Sequence, residues 1–382
     1  MRRLLAFVCV VVFVDTLFYA AITPILPDLS DRFGLSKTAA GVLAAAYPAG
    51  TFVGALPGGL MAARLGVRPT VLIGLGLLVA SSICFAFGDS IVVLDAARFV
   101  QGIGGAASWA GALGWMIGAA PREQRGQYIG TALAAAVAGA LFGPVLGAGA
   151  EALGQEPVFG GVAVLGVALM IWATRMHAEQ PEGDSRLRTL LGAFRDNRVG
   201  AGMWLTTLPG VLFGTMAVLG ALRLDELGAG AAAIAAAFLV AAALEAIVSP
   251  LIGRLSDRRG RYVPSVIGVA GGGLVMLALP WPQEALVLGV VIVFAGPLIG
   301  MLYTPAMAML SDGADAAGVA QGFAFALVNL AWATGQTAGA AGSARLADAA
   351  GDRVPYLVLA GVCALTLVGL LRHARADARH AR

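Results

Sequence analysis

The 382-residue chain is 59% hydrophobic and only 12% charged, more apolar surface than a water-soluble domain can bury in one core. Its formal charge of +3 is small, and the basic residues form no clustered, aromatic-interleaved face, which argues against a nucleic-acid partner. At roughly 20 apolar residues per crossing, a chain of this length with short loops has room for about twelve transmembrane helices.

Hydrophobic blocks, cut where charges, Pro and Gly gather, fall near 4–26, 38–62, 70–88, 91–119, 127–150 and 157–174. A second set falls near 199–221, 230–252, 264–281, 285–310, 319–342 and 354–371. Between them lies the longest polar stretch, 175–198, which holds Pro181 and Gly183 and reads as a linker. The pattern predicts an N-terminal six-helix unit over 1–174, a cytoplasmic linker, and a C-terminal six-helix unit over 199–382 with a short basic tail. With Met1 inside, nineteen Arg and Lys fall on one side and five on the other, with Arg98 inside a helix. That asymmetry predicts both termini in the cytoplasm.

The first block begins after Arg2 and Arg3 and continues through Asp15 to Pro24 without a small-residue cleavage site, so it reads as a membrane helix and not a signal peptide. Asp15 stands about 16 Å into it, near the midplane, with Tyr19 one turn later on the same face. A carboxylate removed from water there either exchanges a proton, attracts a cation, or sits neutral and hydrogen-bonded as a structural group. In the fourth block Arg98 lies about 10 Å from the outer end, a costly place for a guanidinium without a partner. Asp95, three residues earlier, can share its face, so the pair reads either as an interfacial bridge or as a functional charge. Trp109 follows in the same helix.

In the fifth block Gly139, Gly143 and Gly147 recur every four residues and form a smooth strip, with Pro144 set to bend the helix. Trp204 opens the second set, Glu245 lies about seven residues before the inner end of the eighth block, and Asn329, Trp332 and Gln336 make a polar and aromatic stripe at helical spacing. Such a stripe predicts a face toward a central cavity, joined by Tyr19, Trp109 and Trp204. Two blocks of residues also recur: Gly126, Gly130, Gly143 and Gly147 return 192 positions later as Gly318, Gly322, Gly335 and Gly339, and Gly59, Arg64 and Gly66 return 194 later as Gly253, Arg258 and Gly260. Duplication of one half is the economical explanation.

Cys9, Cys84 and Cys363 are far apart in apolar stretches and read as small core residues. His177, His373 and His380 lie in the linker and tail, so neither a metal cluster nor a His-based catalytic group assembles in the membrane. The run Gly102–Gly105 lacks a Walker lysine and is no phosphate cradle. The expectation is a non-enzyme with no catalytic residue, cofactor or metal.

Three motifs resemble the major facilitator superfamily and, within it, the twelve-helix drug:proton antiporters. Gly253 to Arg261 matches the cytoplasmic loop pattern G-x-L-x-D-R-x-G-R at every fixed place, through Gly253, Asp257, Arg258, Gly260 and Arg261. The first copy, Gly59 to Arg68, is degraded, with Ala63 and Val67 at the acid and last Arg positions. Gly130, Gly139, Gly143, Pro144 and Gly147 resemble the fifth-helix antiporter signature, with Ala148 in place of its final Gly, and Arg98 to Gly102 resembles R-x-x-Q-G.

The resemblance implies an all-α polytopic fold of twelve helices in two pseudo-symmetric bundles. It gives the 253–261 loop a gating role, makes the fifth-helix strip a seal between the halves, and gives Arg98 a part in proton coupling beside Asp15 and Glu245. The implied function is export of a drug-like molecule or metabolite in exchange for protons across a bacterial inner membrane. One chain holds both halves, so a monomer suffices. A symporter or uniporter for a small metabolite, and a non-transporting sensor or scaffold that keeps the fold, are the alternatives.

Overall fold

The computed structural model describes residues 1–121, 124–177, 197–316 and 321–380. Most of the 175–198 linker, including Arg186, Arg188 and Arg195, lies outside the described residues, as does Gly318 of the recurring glycines.

The described chain is almost wholly helical, as a chain in lipid must be when its backbone groups have only one another as partners. Helices α1 (Arg2–Ala20), α2 (Ile22–Phe33), α3 (Lys37–Arg64), α4 (Val67–Phe87), α5 (Ile91–Ala119), α6 (Arg125–Leu153) and α7 (Gln155–Thr174) precede the linker. After it come α8 (Asn197–Thr215), α9 (Ala221–Glu226), α10 (Ala231–Arg259), α11 (Tyr262–Ala278), α12 (Ala285–Gly300), α13 (Tyr303–Ala316), α14 (Gln321–Thr337), α15 (Ser343–Ala350) and α16 (Arg353–His380). Two wide π turns join them in places: π1 (Met216–Gly220) links α8 to α9, and π2 (Ala338–Gly342) links α14 to α15. Ten helical stretches among the described residues are long and apolar enough to cross a membrane, and Tyr262–Ala278 is a shorter apolar helix. Over the described residues the blocks read from the sequence reappear as helices, residues 319–320 of the eleventh lying outside them; besides the two π turns, two blocks are interrupted. The first breaks at Ala21 and runs on to Phe33, and the tenth breaks at Met301 and Leu302.

Six glycines with positive φ punctuate the described helices: Gly34, Gly66, Gly154, Gly228, Gly260 and Gly351. A left-handed backbone admits few other residues, and at Gly34 it closes α2 while Leu35 N–H bonds back to Ser30 O at 2.8 Å. Their numbers form three pairs, 194, 194 and 197 residues apart, so the joints of the second set repeat those of the first.

α1 packs on α6, and α5 lies against both α3 and α4; among the later helices α8 packs on α14, α10 on α12, and α11 on α16. Two seams join the sets: α3 against α14, π2 and α15, and reciprocally α10 against α6. The first seam is tight, since a methyl on Gly41 would lie 2.4 Å from Ala344 Cβ and 2.6 Å from Ala340 O.

Candidate functional site

At the middle of α1 the Asp15 side chain is 1% exposed. Its Oδ2 accepts from the Tyr47 hydroxyl at 2.7 Å and from Trp109 Nε1–H at 2.9 Å, while its Oδ1 has no hydrogen-bond partner. Gly105 makes the room: a methyl there would lie 2.7 Å from the Tyr47 hydroxyl and 2.9 Å from Asp15 Oδ1. Tyr19 lies over Tyr47 with ring centroids 4.8 Å apart and meets Trp332 of α14 edge-on at 5.4 Å. A buried acid, three aromatic side chains around it and one from the far set of helices therefore form a continuous group.

Arg98, fully buried on α5, reaches into the same group. Its Nη2 donates to Tyr19 O at 3.1 Å, its Nη1 to Phe18 O at 3.4 Å and to Gln101 Oε1 at 2.8 Å, and the guanidinium lies 5.2 Å from the Tyr47 ring centroid. Backbone carbonyls of α1 and two aromatic faces thus take the place of a carboxylate partner. The expected pairing with Asp95 is corrected by this geometry, because the guanidinium turns inward across the helix packing and Asp95 Oδ1 is left without a partner. Helical spacing of three brings two side chains to one face but does not decide which way a long one turns.

The other expected residues divide. Trp109, Tyr19 and Trp332 join Asp15, and Tyr47, which sequence reasoning missed, is its closest ligand. Gln336 is buried against α8, where its Oε1 lies 2.9 Å from a methyl placed on Gly214, and Asn329 is half-buried on the same helix. Trp204 stands apart from the group: it is 45% exposed and donates to Thr366 of α16 at 3.2 Å. Glu245, half-buried on α10, lies against Gly300, and Tyr303 of α13 is within electrostatic reach of both Glu245 and Tyr19.

The fifth-block glycines have a different neighbour from the one expected. Methyls on Gly139, Gly143 and Gly147 would strike Thr16, Ala20 and Ala21 at 2.1, 2.3 and 2.2 Å, so the strip seats α1 and its continuation within the first set of helices. Another face of α6 meets α10, and nothing lies within 4 Å of a methyl on Gly130. Pro144 lies within α6, which continues as one helix to Leu153. In the Gly253–Arg261 loop, Gly260 turns the chain at φ 76°, Arg258 and Arg259 are exposed, and Arg261 O accepts from the Ser265 hydroxyl at 2.8 Å. The Asp257 side chain lies outside the described residues.

At the loop end that carries Gly34 and Gly351, charges absent from the sequence reading as a group come together. Lys37 Nζ contacts Asp352 at 2.7 Å and Glu226 at 3.1 Å, and Glu226 also takes Arg223 at 3.0 Å. Thr38 N–H donates to Asp348 Oδ2 at 2.7 Å. The N-terminus of α3 is thereby tied to α9, α15 and the start of α16.

The model described as Major Facilitator Superfamily matches residues 8–335. The chain belongs to the major facilitator superfamily. It is a multi-pass membrane protein of that superfamily, and its relatives include proteins named as transporters. A synaptic vesicular amine transporter of Homo sapiens is 26% identical over 330 residues, 82% of this chain and 60% of its own length. A chloramphenicol resistance protein of Streptomyces lividans is 30% identical over 274 residues, 69% of this chain and 67% of its own. The MFS-type transporter ppzB of Metarhizium rileyi is 34% identical over 141 residues, 35% of this chain and 29% of its own. The chain thus spans less than two thirds of the length of the first curated relatives it matches. Among solved structures, a POT peptide transporter in complex with alafosfalin aligns at TM-score 0.78 and 15% identity over 98% of this chain and 95% of that one, which establishes a shared fold.

Proposed function

We propose that this superfamily member is a secondary active transporter, moving a small molecule outward in exchange for protons by alternating access between two six-helix halves, residues 1–174 and 199–382. The observation that carries the reading is Asp15: a nearly inaccessible carboxyl with one oxygen unpartnered, joined through Tyr47 and Tyr19 to Trp332 of the opposite half. A group that changes charge there changes the contact on which the halves close. Asp15 and Glu245 carry protons, Arg98 sets the field around Asp15, and Tyr19, Tyr47, Trp109 and Trp332 line the space in which cargo sits. In a bacterial plasma membrane with both termini inside, the Lys37 cluster closes the outer end. Chloramphenicol resistance and amine transport in the names of relatives accord with outward movement of a small molecule.

Cells with and without the chain, challenged with a panel of toxic compounds with and without a protonophore, identify a cargo by reduced accumulation that needs the proton gradient. In inside-out vesicles that compound then enters as the lumen loses protons, and Asp15→Asn abolishes the pH-driven movement. Cargo that moves without proton flux, and equally well in the Asn variant, sinks the proposal.

A further inference from the structure

Ala237, Ala241 and Glu245 form one row on α10 and face Gly289, Gly296 and Gly300 on α12. A methyl on Gly289 would rest 3.9 Å from Ala237 Cβ, and one on Gly296 would lie 2.5 Å from Ala241 O. A methyl on Gly300 would collide with Glu245 itself, at 2.1 Å from Oε1 and 2.3 Å from Cδ. The carboxyl occupies the volume that any other residue at 300 would fill.

That contact falls on a break. α12 ends at Gly300 and α13 starts at Tyr303; Met301 N–H still bonds to Pro297 O at 3.1 Å and Ala306 N–H to Leu302 O at 3.2 Å, but Leu302 N–H turns to Ile299 O at 3.2 Å and Pro305 offers no N–H to the Met301 carbonyl, so the ladder is weakened there. Among the described residues Glu245 makes no hydrogen bond or ion pair. Tyr303 of α13, stacked on Phe213 of α8, lies within electrostatic reach of it. α12 and α11 carry no charge; the charged groups on the other elements packed on α10 are Asp28, Asp31 and Arg32 of α2, Glu151 of α6, and Arg223, Asp225 and Glu226 of α9, while the side chains of Arg125 on α6 and of Asp312 and Asp315 on α13 lie outside the described residues.

The internal repeat supplies an independent comparison. At the offset of 194 set by the paired turn glycines, Gly102 against Tyr47 O matches Gly296 against Ala241 O. The same offset sets Glu245 on Thr51 and Gly300 on Ala106. In the first half Thr51 turns its hydroxyl to Tyr47 O and Gly102 O and α5 is unbroken, whereas in the second half the corresponding residue is a long acid that reaches Gly300 at a broken helix.

We infer that Gly300 is a seat for the protonated Glu245 side chain. On losing its proton the carboxylate, too costly to hold among apolar helix faces without a partner, moves to water and releases the α12–α13 break to bend. This inference rests on the transport reading for its purpose, since it makes proton release in the second half a movement of α13. Gly300 is in this sense a positioning residue for Glu245.

The tests use the purified full chain and need no transported compound, so they can fail or succeed apart from that reading. In detergent, Gly300→Ala lowers Tm by about 4 °C or more, and E245A/G300A melts within about 1 °C of Glu245→Ala, because removing the carboxyl makes room for the methyl. Maleimide labelling of a cysteine at Thr304, in sealed vesicles, is compared with the same cysteine on an E245Q background to cancel the thiol's own titration. The ratio rises on the order of threefold or more from about pH 6 to about pH 9, and G300A holds it at the high-pH level throughout. Additive losses in the double variant, or a labelling ratio flat with pH, overturn the inference. If G300A does not fold alone, recovery of folding in E245A/G300A supports it and failure of both overturns it.

Discussion

Asp15 and Arg98 are held by different kinds of partner, and each kind fixes what a substitution does. Tyr47 and Trp109 both donate to one carboxyl oxygen, so Tyr47→Phe leaves a buried acceptor half satisfied. The loss should be about 1–3 kcal/mol, read as a lower Tm in detergent with Trp109→Phe as the matched case. Arg98 divides its planar donors among Phe18 O, Tyr19 O and Gln101. A lysine ammonium is a point charge without that fork, so Arg98→Lys should destabilise by a comparable amount despite keeping the charge. Both charged residues were legible in the sequence because ionised groups in apolar runs are expensive. Tyr47 was not, since a lone tyrosine before Pro48 in an alanine-rich run carries no periodic signal, and the contact it makes is with a helix 32 residues away in sequence.

Among the helices, glycines decide how closely backbones approach. Gly139→Ala would drive a methyl to 2.1 Å from Thr16 Oγ1 and 2.3 Å from Phe13 O, whereas Gly130→Ala meets nothing within 4 Å. Thermal unfolding should separate them: the first loses about 1–3 kcal/mol or more by overpacking, and the second is neutral or gains about 0.5–1 kcal/mol in helix propensity. The strip itself was legible at its four-residue spacing, but its register in the repeat was not. Sequence matching at 192 sets Gly143 on Gly335, yet Gly139 and Gly335 both cover the carbonyls of 13 and 207, and Gly143 and Gly339 those of 17 and 211. The structural offset is 196, one helical turn further, because a row of glycines four apart fits its copy equally well after a slip of one turn. Likewise, apolar composition located the tenth block but gave no sign that Pro297 and Pro305 flank an interruption in it.

Across the whole molecule, the first seam is fastened at one end by charges. Hydrogen bonding from Thr38, aided by Ser36, holds the Asp348 carboxyl below its usual range. A carboxylate shifted down adds stability above its unfolded value and gives it up as pH falls through the lowered one, so this tie should hold at neutral pH and loosen in acid, below about pH 4. Amide hydrogen exchange at Thr38, corrected for its intrinsic pH dependence, should show protection that is lost in that window and missing at every pH in Asp348→Asn. Lys37→Gln should weaken the same end by about 0.2–1 kcal/mol, the modest value of half-exposed ion pairs. Charge counting along the chain set Lys37 and Arg223 among the five basic residues of one side, but their carboxylate partners, Glu226 at the end of α9 and Asp352 just before α16, emerged only with the packing.

The wide turns at Met216–Gly220 and Ala338–Gly342 lie against one another and against α3, at the place where the two sets of helices touch. Each winds one more residue into its loop than a regular coil does. Passing that surplus along the chain rotates everything downstream by about a quarter turn while exchanging only a few hydrogen bonds. The contact between the two sets can therefore be re-dealt by twisting in place, without unwinding either helix of the pair.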